Sequence, residues 1–142
     1  VESALLREVD NAFEHPVEVD SMLECLEVLV NLIGENKKAM LHIYCSVQRD
    51  TFTRALDKMC QYVIKQYIVH NFEKEIMEKE DMKVLMHFYK CVMIGVILDW
   101  MDHRMSYDLT EYAEKLRELY ENTFEKTLEK VAGTKPAYLK IV

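Results

Sequence analysis

Between Val84 and Met101 the sequence reads VLMHFYKCVMIGVILDWM, apolar on every side of a helix. His87, Lys90 and Asp99 interrupt it without forming one solvated stripe. A helix hydrophobic all round has to be covered on both flanks, by its own domain, by a membrane or by another subunit. The segment Asp108 to Val131 follows at once, with Leu109, Tyr112, Leu116, Leu119, Thr123 and Phe124 along one side. Two adjacent helices of this kind predict a core on one side and a second subunit on the other.

The rest of the chain carries the same periodicity. Leu5, Leu6, Val9 and Phe13 predict a short helix over Glu2 to Phe13, ended by His15-Pro16, since the residue before a proline leaves the α region. A second helix starts at Ser21, which has capping-box spacing to Glu24, and stops at Gly34. Asn36 is placed to cap a third, Lys37 to Val47. Asp50 or Thr51 opens a long fourth segment to about Met77, with Phe52, Leu56, Met59, Val63 and Tyr67 on its apolar face and a bend expected near His70-Asn71. A fifth helix runs from Glu80 to about Arg104. Asp108 with Glu111 caps the sixth, which Gly133 and Pro136 end. The expected fold is all-α with six helices.

Composition agrees with long helices: of 142 residues half are hydrophobic, with three Gly and two Pro. Such a chain is one domain that buries roughly 68–70% of its unfolded surface. The net charge of −7 argues against a basic nucleic-acid footprint within these residues. Cys25, Cys45, Cys60 and Cys91 each lie inside an apolar helical pattern, which predicts buried, reduced thiols and a cytoplasmic setting. With a lysine and an aspartate inside it, Val84 to Met101 falls short of the usual ~20 apolar residues of a membrane span, so no membrane is expected.

Candidate chemistry is thin. His42 and Cys45 stand three apart and His87 and Cys91 four apart, so each pair can share a helix face. Neither has compact zinc-site spacing, and no metal is expected. There is no phosphate loop, nucleophile elbow or HExxH, and neither Glu78 nor Asp99 has the histidine three residues later that a di-iron bundle uses. No enzyme activity and no cofactor are expected.

The helix order and the block FYKCVMIGVILDWMDHRMSYDLTEYAEKLRELYENTF resemble the C-terminal domain of TetR-type transcriptional regulators, in particular the branch common in Firmicutes. There the penultimate helix carries an aromatic pair, a glycine and a tryptophan, here Phe88-Tyr89, Gly95 and Trp100, before a short turn and an acidic amphipathic last helix. The family's N-terminal helix-turn-helix is absent from these residues, so DNA contact is expected only through that missing head of the parent protein.

The resemblance implies that residues 1–132 form an effector-binding and dimerisation domain of a bacterial cytoplasmic regulator, with 133–142 a loose tail. The last two helices of each subunit would form an intersubunit four-helix bundle in a homodimer. Gly95 would allow close approach, and Leu98, Met101, Leu116, Leu119, Tyr120 and Phe124 would fill the seam. The middle helices would frame a pocket for an apolar or amphipathic small molecule, lined by Leu26, Leu29, Ile33, Tyr44, Met59, Val63, Tyr67, Tyr89 and Met93. A Met or Tyr stripe at helical spacing also serves simply as core. The alternative is a helical protein-interaction domain with no small-molecule site.

Overall fold

A computed structural model describes Arg7, residues 19–120 and residues 123–133. The expected helix over Glu2 to Phe13 and the tail after Gly133 lie outside the described residues. Six α-helices and no strand stand among them: α1 (Met22–Glu35), α2 (Lys37–Tyr44), α3 (Arg49–Asn71), α4 (Glu80–Asp102), α5 (Leu109–Tyr120) and α6 (Thr123–Ala132), with a 3-10 turn at Lys74–Glu78 between α3 and α4.

The helix ends follow local hydrogen-bond competition. Ser21 Oγ accepts the Glu24 N–H at 3.1 Å, and Glu24 reaches back to the Asp20 N–H at 2.7 Å, one residue before the usual return arm of a capping box. Gly34 does not stop α1, which continues to Glu35. Asn36 serves the end of α1 rather than the start of α2: its Nδ2 donates to the Leu32 carbonyl at 3.2 Å, and its side chain makes no cap bond forward. Helix α2 ends at Tyr44 instead of Val47, because Ser46 Oγ donates to the Ile43 carbonyl and accepts the Gln48 N–H.

The run expected to reach Met77 ends at Asn71. Asn71 Nδ2 donates to the carbonyls of Tyr67 at 2.9 Å and Val19 at 2.8 Å, and Phe72 is extended. Arg104 and Met105 take positive φ values of 54° and 55° to turn the chain out of α4. Asp108 Oδ1 accepts the N–H groups of Thr110 and Glu111 and caps α5. The single last helix expected over Asp108 to Val131 is described as two with different partners: α5 lies on α1, and α6 lies on α4. Gly133 closes α6 at φ +76°, a conformation few other residues adopt.

Helix α3 is the centre of the core, packed by α1 and α2 on one side and α4 on the other. Phe52, Leu56, Met59, Val63 and Tyr67, its expected apolar face, are all fully buried. By length and composition α4 is able to cross a membrane, a longer apolar helix than the count from Val84 to Met101 implied. Here its inner side packs against α3 and α6.

Glu125 of α6 is buried, and its carboxylate accepts the N–H of Met22, the first residue of α1, at 3.2 Å. It caps a helix from the opposite end of the chain. Replacing Glu125 by Ala is expected to lower the free energy of unfolding by about 1–2 kcal/mol, with Gln retaining most of it because an acceptor remains. Urea denaturation measures this; an Ala variant with an unchanged midpoint rejects the cap.

Candidate functional site

Helix α4 presents distinct faces. Met82, Tyr89, Met93, Ile97, Trp100 and Met101 are buried against the core. On the opposite side Val84 (60% exposed), Phe88 (57%) and Val92 (44%) form an apolar stripe, continued by exposed Cys91 and Gly95. The all-round apolar helix therefore has one face covered by the protomer and one left open. A Cβ built on Gly95 meets nothing within 4 Å, so nothing described in the protomer requires glycine there.

The residues expected to fill a dimer seam do not all share a surface. Gly95, Leu119 (69% exposed) and Tyr120 are exposed, and Leu98, Leu116 and Phe124 are half-buried. Met101, 1% exposed, sits in the protomer's own core. Val84, Phe88, Val92 and Tyr112, exposed and apolar, were not among the expected seam residues. Phe124 stands edge-on to Tyr89 at 5.5 Å between ring centres, fixing α6 to α4, and Tyr120 lies 5.4 Å from Phe124.

The nine residues expected to line a pocket, Leu26, Leu29, Ile33, Tyr44, Met59, Val63, Tyr67, Tyr89 and Met93, are all buried in one apolar core. None of them lines the groove of about 580 Å³ between α3 and α4. That groove is bounded by Gln61, Tyr62, Ile64 and Lys65 of α3, by Met77 of the 3-10 turn, and by Lys83, Met86, His87 and Lys90 of α4. Its lining joins three elements, a combination that helical periodicity does not reveal.

A polar corner closes the far end of α4. Tyr44 OH donates to Asp102, Tyr107 OH donates to Asp99 at 2.9 Å, and Trp100 Nε1 donates to the Tyr107 carbonyl at 2.9 Å. Burial, followed by the hydrogen bond and charge of Asp102, pushes the Tyr44 hydroxyl up to about 12. Arg49, whose guanidinium lies 4.2 Å over the ring, pulls the other way. Burial and Asp99 likewise raise Tyr107 to about 12. Burial raises Tyr89 too, while a hydrogen bond with Thr127 opposes it. At neutral pH these three tyrosines are uncharged.

The thiols divide in two. Cys25 and Cys60 are buried, and desolvation lifts Cys60 to about 12 and Cys25 well above its ordinary value. Cys45 and Cys91 are exposed, which corrects the expectation that all four lie inside. Cys91 falls on the open side of α4, and Cys45 follows the last residue of α2. Cys91 Sγ lies 3.8 Å from His87 Nε2; among the described residues no three His, Cys, Asp or Glu side chains are grouped to hold a metal ion.

The family model for the TetR-type transcriptional regulator C-terminal region matches residues 20–134. No curated protein and no solved structure matches the chain.

Two outcomes follow from these environments. With a disulfide-exchange reagent in mildly alkaline buffer, Cys45 and Cys91 of the native protein are expected to react promptly, and Cys25 and Cys60 only after denaturation. Four equal rates contradict the burial. The tyrosines set an alkaline limit: the folded state holds the Tyr44 proton to about 12, while the unfolded chain releases it near 10.0. Its contribution to stability is therefore full below the lower value and is lost as the pH climbs to the upper one. Tyr44→Phe is expected to remove part of that loss, read as unfolding free energy against pH; an unchanged slope rejects the assignment.

Proposed function

The chain belongs to the TetR-type family of transcriptional regulator C-terminal regions, and from that premise we propose that it is the dimerisation and effector-binding domain of a bacterial cytoplasmic regulator of the Firmicutes type. The observation that carries the dimer is the open stripe of α4. Val84, Phe88 and Val92 expose apolar surface that no described element covers, and burying such a side chain against a partner is favourable by about 1.5–3 kcal/mol. Gly95 lies on the same side, where a helix-interior glycine costs roughly 0.8–1 kcal/mol relative to alanine. With no close neighbour inside the protomer, that glycine leaves room for another backbone to approach.

In this reading α4 and the α5–α6 pair of two copies form a four-helix bundle, with Gly95, Leu98, Leu116, Leu119, Tyr120 and Phe124 joined by the stripe residues. Met101 remains in the protomer core. The effector is an apolar or amphipathic small molecule. To reach the nine inward residues it has to displace core side chains, and Met59 and Met93 are the most deformable of them.

Regulation is then a population shift. A ligand moves the balance between two arrangements only by its differential affinity for them. The arrangement of the first expected helix, Glu2 to Phe13, against the third, which opens at Lys37, sets the position of the reader head that the family carries ahead of this domain. Two such heads have to meet major grooves about 34–36 Å apart, so displacement by a few ångströms breaks the match.

Phe88→Glu tests the dimer without touching the core, because that side chain is more than half exposed in the protomer. Sedimentation equilibrium at micromolar concentration is expected to give twice 16.9 kDa for the unaltered chain and 16.9 kDa for the variant, with unchanged helical circular dichroism. A monomeric unaltered chain overturns the proposal.

A further inference from the structure

Acidic residues outnumber lysine and arginine in this chain by 25 to 18, yet the groove between α3 and α4 is lined by Lys65, Lys83, Lys90 and His87 and by no carboxylate. Beside these groups the lining is apolar, with fully buried Ile64 and half-buried Tyr62, Met77 and Met86. The volume of about 580 Å³ is that of a small-molecule site, for which the usual range is roughly 300–1,000 Å³.

The nearest carboxylates leave much of this positive charge available. Lys90 pairs with Asp57 at 3.0 Å, and Asp57, outside the lining, also accepts from Gln61, so Lys90 is already partnered. Lys83 approaches Glu78 only at 4.0 Å, with both side chains largely in solvent, where such a pair contributes little. No acidic residue stands three or four positions from Lys65.

We propose that this groove binds a dissolved amphiphile with one anionic head, a carboxylate or a phosphate monoester, and an apolar body. The head lies between Lys65 and Lys83, with His87 as a further donor, and the body covers Ile64, Met77 and Met86. Methionines suit such a lining because they repack around tails of different shape. The groove is separate from the open stripe of α4: Lys83, Met86 and Lys90 occupy the flank toward α3, whereas Val84, Phe88 and Val92 point away from the core. Binding therefore leaves the proposed dimer face free. That such a ligand adds a second regulatory input, apart from the core-lined effector site, rests on the regulatory reading; that it binds does not.

Titration calorimetry with dodecyl phosphate below its micelle concentration tests the site on the unaltered chain and on the double variant Lys65→Glu, Lys83→Glu. Both positions are exposed, and circular dichroism and melting check that the variant folds. One molecule per protomer is expected, with affinity lowered about tenfold or more by the two charge reversals and by less in Lys65→Gln, Lys83→Gln. Dodecyltrimethylammonium, with the same tail and the opposite charge, is expected to bind weakly and to gain from the reversals. Equal affinity of dodecyl phosphate for the unaltered chain and the reversal variant overturns the proposal, as does binding to anionic phospholipid vesicles without binding to the dissolved amphiphile. An unaltered chain that binds dodecyl phosphate while sedimenting as a monomer keeps the groove and removes the regulatory reading.

Discussion

Tyr89, Met93, Ile97 and Trp100 press one side of α4 into the core, and the angular position of these four side chains decides what every other residue of that helix meets. Successive residues turn by about 100° around a helix, so fixing this face fixes the rest. Val84, Phe88, Val92 and Gly95 are carried to the opposite side. Lys83, His87 and Lys90 are carried to the flank beside α3, and Leu85 to the flank beside α6. The edge-on contact of Tyr89 with Phe124 holds that orientation from the α6 side, and the Lys90–Asp57 pair holds it from the α3 side. An open apolar stripe and a cationic groove can coexist on one helix because the core contact keeps them apart.

Much of this was legible along the chain. The phase of α3 is unambiguous: its apolar positions recur every three or four residues, with Arg54, Lys58, Gln61 and Lys65 exposed between them. The phase of α4 was not legible, for a physical reason. When nearly every position is apolar, periodicity disappears, and nothing in the pattern says which side meets the core. Met101 was therefore expected at an interface although it is buried, and Val84, Phe88 and Val92 were passed over although they are open. The groove was hidden differently, since it exists only when Lys65, Met77 and Lys83 are brought together from separate elements.

Helix boundaries show a similar limit. Ser21 and Asp108 cap as their spacing implied, because each bond joins residues within one turn of the chain. Asn36 had equal claims on the helix behind it and the helix ahead, and it bonds backward to Leu32. Asn71 ends α3 by reaching Val19, a residue whose proximity no local rule supplies. Glu125 looks like an ordinary charge on an amphipathic helix until the fold sets the first turn of α1 against it.

That last contact bears on how a domain of this kind transmits a signal. Helix α1 is tied to the α5–α6 pair at two places: the Met22 N–H is held by Glu125, and Glu27 meets Arg117 at 2.6 Å. The first bond is buried and supplies a donor that would otherwise be unsatisfied, so it resists breaking. The second is partly exposed and worth only about 0–1 kcal/mol. In the regulatory reading α5 and α6 belong to the dimer face, so both ties couple α1 to it. A ligand that displaces α1 is then felt at the interface through the buried bond between Met22 and Glu125.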